Sequence, residues 1–247
     1  MEILRFTLSG KQAFFKKPDV NTYYYFTYGH IHKVALLGMF GAILGYEGYG
    51  ASAFQKEITF PEFYEKLKDI QIAVVPYADK GCFPRKIISF NNSVGYASKE
   101  KGGNLIVREQ WLENPQWYIY VMLDCDEAKK IADSILGKTC IYTPYLGKND
   151  HLADITEAGI ISGELIPGEQ VSQIDSLFVK GQANVDIDDV LQEKPYKYEE
   201  SLPVALDERN MYCLKKLVLT NLPVIECIGQ VYRITDKKEQ VNHIAFY

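Results

Sequence analysis

Residues Lys33–Tyr46, KVALLGMFGAILGY, constrain this chain more than any other stretch. From Val34 to Leu44 the apolar side chains leave almost no polar face. The segment therefore predicts a helix buried on most sides, which needs a sheet beneath it and further cover around it. The apolar run to Tyr46 falls short of the roughly 20 residues that span a bilayer. The opening MEILRFTLSGKQ has an acidic second residue and no apolar core, so it does not read as a signal peptide. Gly38, Gly41 and Gly45 follow one another along one helix face. Each interior glycine costs about 1 kcal/mol against alanine, so the set needs a compensating close approach. That approach is either another packed element or a phosphodiester chain near the helix start, where free N–H groups favour anions. The run GMFGAILG does not fit the GxGxxG dinucleotide fingerprint, and the chain has no Walker loop.

The flanking sequence supplies the sheet. In Glu2–Ser9, Leu4, Phe6 and Leu8 alternate with Arg5, Thr7 and Ser9, which predicts a half-buried strand. A long loop, 10–32, separates it from the helix. A second helix is predicted from a Thr59 cap through Pro61 and Glu62 to about Asp69, with Phe60, Phe63, Tyr64 and Leu67 inward. Strands follow at Gln71–Tyr77 and at Trp117–Leu123, the latter too apolar for an edge. Asp124 or Asp126 would cap a helix ending at Leu136–Gly137, and strands are expected at 139–143, 155–166, 211–219 and 224–234. The last two would pair across Asn221-Leu222-Pro223. Between these two strands, Lys80–Glu113 reads as a hairpin excursion with a Gly-Gly tip. The fold class is α+β. The order strand, helix, strand, strand, helix, strand matches a ferredoxin-like unit over 1–180, followed by an acidic linker at 181–201 and a smaller β-rich part up to 247.

The 247-residue chain carries a net charge of −5, which by itself argues against nucleic acid. The distribution reverses that impression. Residues 1–110 hold 14 Lys+Arg against 10 Asp+Glu, while 111–247 hold 13 against 22. The first half is thus the place for phosphates. The five cysteines are scattered, odd in number and lack a CxxC pair, which predicts reduced, mostly buried thiols in a cytoplasmic protein. No metal site or cofactor is indicated.

Two clusters carry the chemistry of single-stranded RNA binding. The loop 10–33 interleaves Lys11, Lys16, Lys17 and Lys33 with Tyr23, Tyr24, Tyr25 and Tyr28, so that rings stack on bases and ammonium groups neutralise phosphates. Phe14 and Phe15 in the same loop read as core. His30 and His32 stand beside the helix start without a third metal ligand, which leaves RNA contact or hydrogen-bonded packing. In the hairpin, Lys80, Arg85, Lys86, Lys99, Lys101 and Arg108 are candidate phosphate contacts or a solvated face.

The opening strand, the polar loop and HKVALLGMFGAILGYEGYG together resemble the start of the CRISPR-associated "Cas five" family of the RAMP superfamily. The run IYTPYLGKNDHLADI is similar to a second pattern of that family, about a hundred residues on. The resemblance is best before residue 165 and has a type I-B character by length. It implies a ferredoxin-like, RRM-like palm with a β-hairpin thumb, here 80–113. It also implies a subunit that caps the five-prime handle of crRNA, docks on the backbone and large subunits of a surveillance complex, and meets target DNA only indirectly. No membrane partner is implied. Gly38, Tyr145, Lys148 and Asn149 join the candidate RNA-binding residues on this ground.

One branch of the family cleaves precursor RNA with a tyrosine after the first helix and a Lys-His pair. Tyr46 stands in a suitable place, but the chain has no Lys-His dipeptide, and Lys148 and His151 are separated by Asn149 and Asp150. A base near the 2′-hydroxyl and an acid or cation at the leaving group would have to come from Tyr46, Lys148 and His151. The expectation is therefore a binding protein. Metal-independent processing of pre-crRNA is the alternative, and a ferredoxin-like small-molecule enzyme unrelated to CRISPR is a third reading.

Overall fold

The computed structural model describes residues 1–19, 23–52, 60–187, 194–235 and 241–247. In chain order the first elements are strand β1 (Glu2–Ser9), the short β2 (Gln12–Ala13), helix α1 (Lys33–Leu44), the single turn α2 (Tyr49–Ser52) and α3 (Glu62–Leu67). Then come β3 (Ile72–Pro76), β4 (Arg85–Asn91), β5 (Ile106–Glu113), β6 (Gln116–Met122), α4 (Asp126–Leu136) and β7 (Asp154–Ile166). The chain closes with β8 (Phe178–Val179), β9 (Ala183–Val185), β10 (Lys197–Leu206), β11 (Tyr212–Thr220), β12 (Val224–Cys227), β13 (Val231–Thr235) and β14 (Val241–Ala245). The architecture is mixed and strand-rich, with few helices.

Six strands make the main sheet in the order β14-β13-β7-β1-β6-β3, every neighbour antiparallel. Alternation sorts the two faces. Leu4, Phe6 and Leu8 of β1 and Trp117, Ile119 and Val121 of β6 lie under α1 and α4 in the principal core. Their alternate neighbours Ile3, Tyr120 and Met122 form a second core on the other face with Tyr232, Ile234, Ile244 and Phe246. Trp117–Leu123 is central, as its apolar character requires.

The sheet curls until its two edges meet. Tyr247, just beyond β14, exchanges main-chain hydrogen bonds with Ile72 of β3, at 3.0 and 3.3 Å. Where the edges diverge, a short segment fills the seam. The Asp175 N–H donates to the His243 carbonyl at 2.8 Å, and the Leu177 N–H donates to the Val74 carbonyl at 2.9 Å. The Ala245 N–H donates to Ser176 Oγ at 2.9 Å. Closure of this kind satisfies edge groups that would otherwise template aggregation.

Helix α1 is buried at Val34, Leu36, Leu37, Met39, Phe40, Gly41 and Ile43. A Cβ on Gly41 would stand 2.4 Å from Phe63 Cβ, so this glycine lets α3 press against α1. Among the described residues, Gly38 has only Phe63 Cε2 near, at 3.9 Å. Gly45 ends the helix in the left-handed region at φ 78. The third side of α1 is covered from the far end of the chain. Leu202, Leu206, Leu217 and Leu219 of β10 and β11 belong to the same core, and Tyr64 Oη accepts from the Leu206 N–H at 2.7 Å.

Several expectations are corrected. Residues 139–143 form no strand, because Ile141 and Tyr142 donate their N–H groups to Ile43 and Ala42 at the end of α1 instead of to a sheet. The 224–234 segment is two strands. Strand β12 pairs β9 and β13 pairs β7, so β11 does not fold back across Asn221–Pro223. The 181–201 segment contains β9 and the start of β10. Cys125, with no side-chain bond, occupies the cap of α4 in place of Asp124 or Asp126. The thiols are free, but Cys82, Cys125, Cys140 and Cys213 are exposed and not buried, each on a turn or a solvent-facing strand position. The Thr59 cap lies outside the described residues. Among the described helices, none is long and apolar enough to cross a membrane.

The two helix glycines should respond oppositely. Gly38→Ala is expected to raise the thermal midpoint, gaining up to about 1 kcal/mol of helix propensity. Gly41→Ala should lower it by about 1–3 kcal/mol through overpacking against Phe63. Denaturant melts of the two variants check this, and equal shifts would contradict it.

Candidate nucleic-acid interface

The N-terminal loop is built inward from its histidines. His32 caps α1, its Nδ1 accepting the Ala35 N–H at 3.2 Å, and its ring meets Phe15, Tyr28 and Tyr212 edge-on. His30 is fully buried; its Nδ1 accepts from Trp117 Nε1 at 3.3 Å. Burial pushes His32 down to about 3 and His30 down to about 4; Arg85 lowers His30 further and Glu200 partly opposes it. Both rings are therefore neutral near pH 7 and serve packing. Tyr28 is likewise buried, its phenol pushed up to about 12 chiefly by burial. Phe14 and Phe15 are core, as the sequence indicates. Lys33 is also enclosed. Its Nζ donates to the main-chain oxygen of Tyr247 at 3.1 Å, and burial brings its pKa down to about 8.

A carboxylate from the distant β10 ties this loop to that strand. Glu200 accepts from Lys17 Nζ at 2.8 Å, from the Gly29 N–H at 2.8 Å and from the Tyr198 hydroxyl. Burial alone would raise its pKa, but these three donors outweigh burial and hold the carboxyl below the usual range. Gly29 is required here, since a Cβ would meet Tyr198 Oη at 2.5 Å and Arg85 at 2.9 Å.

The hairpin β4–β5, with β2 on the far side of β5, carries the exposed cations. Arg85, Lys99, Lys101 and Arg108 are exposed, Lys99 and Lys101 at the tip, while Lys86 pairs with Glu113 at 3.2 Å. The loop joins the hairpin through Tyr25, whose N–H donates to the Arg108 carbonyl at 2.9 Å. Lys16 lies 3.8 Å over the Tyr25 ring, and Arg108 lies 5.7 Å over Tyr24. Lys11 is exposed just before β2, and Lys80 sits in an exposed turn at φ 51.

The 144–153 loop docks on the hairpin base. Lys148 Nζ donates to Glu109 Oε2 at 2.9 Å among the rings of Phe14, Phe90 and Trp111. The same carboxylate oxygen accepts from Trp111 Nε1 at 2.7 Å. His151 is buried edge-on against Trp111, and burial, the largest influence, lowers its pKa. Asn149 and Tyr145 are exposed.

Between this loop and α1 opens a cleft of ≈ 710 Å³. Its floor is the thinly covered face of α1, Ala35, Gly38 and Ala42, and its walls are Tyr46, Tyr142, Tyr145 and Tyr212. A floor of small residues lets a flat group lie close to the helix. Tyr46 donates to Glu127 Oε2 at 2.5 Å with Lys66 4.1 Å over its ring. Burial and this bond raise its pKa. The cleft brings Tyr46, Gly38 and Tyr145 together, whereas Lys148 and His151 are not among its lining residues. The sequence reading missed Tyr142 and Tyr212. The first lies inside the quoted IYTPYLGKND run, but Tyr212 arrives from β11 with no local signal.

No family model matches the sequence, and no curated protein matches it. Solved structures do. A chain of a CRISPR RNA-guided surveillance complex superposes with a TM-score of 0.55 at 12% identity, covering 90% of this chain and 91% of that one. A CRISPR protein from Archaeoglobus fulgidus matches at 0.49 and 11% identity over 99% of both chains. A further structure, a Cas protein, matches at 0.37 and 10% identity. At such identities the first match establishes a shared fold.

The buried histidines set an acid limit. A neutral buried imidazole gives its full stability above its unfolded pKa of about 6.5, and loses it as pH falls toward the depressed folded value. Stability should thus fall below about pH 6.5, by up to about 1.4 kcal/mol per pH unit per histidine. In His32→Asn, which keeps a capping oxygen, that slope should be shallower in urea melts from pH 7 to 4. An unchanged slope would contradict the assignment. Glu200→Gln should cost about 1.5–3 kcal/mol at pH 7. That difference should vanish as pH falls through the depressed folded pKa, where the wild-type carboxyl is also neutral.

Proposed function

We propose that this protein is a non-catalytic RNA-binding subunit that caps the five-prime handle of crRNA in a type I CRISPR surveillance complex, of I-B-like character. One observation carries the reading. The strands β7-β1-β6-β3, joined through α1 and α4, follow the order of a ferredoxin-like βαββαβ unit. The hairpin β4–β5 is inserted between its second and third strands, where the family resemblance puts a thumb. The likeness to a surveillance-complex chain over 90% of the length agrees with it. In this reading 1–180 is the palm with its thumb, and β10 and β11 brace the palm from behind.

RNA would run between the hairpin and the cleft over α1. Lys11, Lys16, Lys99, Lys101, Arg85 and Arg108 are placed for phosphates, and Tyr145 with Gly38 for a base. Lys17, Tyr28, His30, His32, Lys33 and Lys148 then act from within, holding the loops that present those groups. Asn149 stands on the rim. The backbone and large subunits would dock on the same ribonucleoprotein.

The geometry favours binding over cleavage. The Tyr46 hydroxyl is engaged by Glu127, Lys148 by Glu109, and His151 is packed against Trp111, so the proton-transfer partners that cleavage needs do not converge. Purification of the tagged protein from its host should recover a processed guide RNA with other CRISPR subunits. Recovery of neither would sink the reading. With repeat RNA in EDTA and a large excess of protein, the RNA should remain uncut; cleavage would favour the ribonuclease instead. Lys99→Ala with Lys101→Ala should reduce the salt dependence of RNA binding, each contact contributing a slope of about 0.7 in log K against log salt.

A further inference from the structure

The curled sheet has a second cavity, of ≈ 680 Å³, on the side away from α1 and α4. It is the open mouth of the near-barrel. The Tyr247–Ile72 pairing closes one end, and the other opens at Val75, Pro76 and Asn242. Ligands are commonly held in such barrel mouths, in an apolar bed with a few placed polar groups. Here the bed is Tyr120, Ile161 and Ile234.

Three polar features face the opening. Arg5 lies 4.5 Å over the Tyr118 ring, and Tyr118 meets the exposed Tyr77 edge-on at 5.6 Å. The guanidinium's one ion pair among the described residues is to Glu157 Oε2 at 3.6 Å, longer than a hydrogen bond. Its planar donor fork is therefore not saturated by the protein. Glu157 has φ 51 and stands where the β1–β7 register shifts between Arg5 and Thr7, a bulge that re-aims its side chain beside Arg5. The Thr7 hydroxyl donates to it at 2.9 Å and fixes it there. Gly159 is the register partner of Arg5, and among the described residues no atom lies within 4 Å of where its Cβ would stand. Asp175, the other carboxylate of the lining, is engaged by the His243 N–H at 2.8 Å and by Gln173 Nε2 at 3.2 Å in the seam.

A stacking ring, a donor fork and a carboxylate side by side select a flat heterocycle whose neighbouring edges offer acceptors and then donors. Guanine has that order: O6 and N7 accept a bidentate arginine, and N1–H and the N2 amino group donate to a carboxylate. Adenine lacks the N1–H and has no O6. A phosphate alone would be repelled by Glu157.

We propose that the barrel mouth binds a guanine base, with Arg5 on its O6/N7 edge, Glu157 on its N1/N2 edge and the exposed Tyr77 against its face. This assignment does not rest on the CRISPR reading, and it lies on the opposite side of the sheet from the cleft over α1. The base belongs either to a free nucleotide or to a single strand.

Equilibrium dialysis of the full chain against GMP, AMP and the RNA pentanucleotides AAGAA and AAAAA tests it. GMP or AAGAA should bind saturably, with a preference of about tenfold or more over the adenine counterpart. Tighter binding of AAGAA than GMP identifies the source as a nucleic-acid strand, and GMP alone identifies a free nucleotide; both support the site. Gly159→Leu should fill the mouth and remove binding, with an unchanged circular dichroism spectrum. Glu157→Gln should reduce the guanine preference to about threefold or less. Tyr118→Leu serves as a second variant if Gly159→Leu does not fold. Equal binding of adenine and guanine probes, no saturable binding of either guanine probe, or guanine binding untouched in a folded Gly159→Leu or Tyr118→Leu chain would overturn the proposal.

Discussion

The burial of α1 is the constraint on which the rest of the structure depends. A helix with Val34, Leu36, Leu37, Met39, Phe40 and Ile43 all inside has no side to give to water. Each such side chain contributes about 1.5–3 kcal/mol when withdrawn from solvent. The sheet supplies one wall through Leu4, Phe6 and Leu8, α3 a second through Phe63 against Gly41, and β10–β11 a third. The strip Ala35–Gly38–Ala42 is less fully covered, and the tyrosine-walled cleft forms over it. The candidate RNA site is thus a consequence of how the helix is enclosed.

The same economy of space explains which charged groups remain at the surface. Lys17 and Lys148 are held by Glu200 and Glu109 at 2.8 and 2.9 Å. Those carboxylates come from other elements, so the two lysines fasten loops to strands. At the hairpin tip Lys99 and Lys101 stay exposed. The cations of the candidate interface therefore divide into fasteners such as Lys17 and Lys148 and a larger exposed set, and only the second set suits a polyanion.

Much of this was legible in the sequence, and the misses have physical causes. The alternation in Glu2–Ser9 sorted Leu4, Phe6 and Leu8 from Arg5 and Thr7 correctly, because a strand's period of two is a local property. Phe14 and Phe15 read as core for the same reason that most large apolar residues do. The run 139–143 looked like a strand on composition. Its N–H groups instead satisfy the last carbonyls of α1, a long-range bond that no local pattern reports. Cys82, Cys125, Cys140 and Cys213 were expected inside on the average habit of thiols, but the first three lie in irregular connections and Cys213 on an exposed stretch of β11. For His30 and His32 the sequence left RNA contact or hydrogen-bonded packing open, and Trp117 and the first turn of α1 each engage one Nδ1, which favours packing.

The sequence by itself determined that the chain must wrap a sheet and further cover around one apolar helix, with a hairpin projecting between the strands at Gln71–Tyr77 and Trp117–Leu123. Apolar periodicity and turn residues act over neighbouring positions, so they can be read without coordinates. Only the tertiary structure decided that β14 would return to β3 and curl the sheet into a mouth holding Arg5 beside Glu157. It alone brought Glu200 to Lys17 and Tyr212 to the cleft. Those contacts join residues more than a hundred positions apart, and their geometry depends on register, bulge and twist summed over the whole sheet.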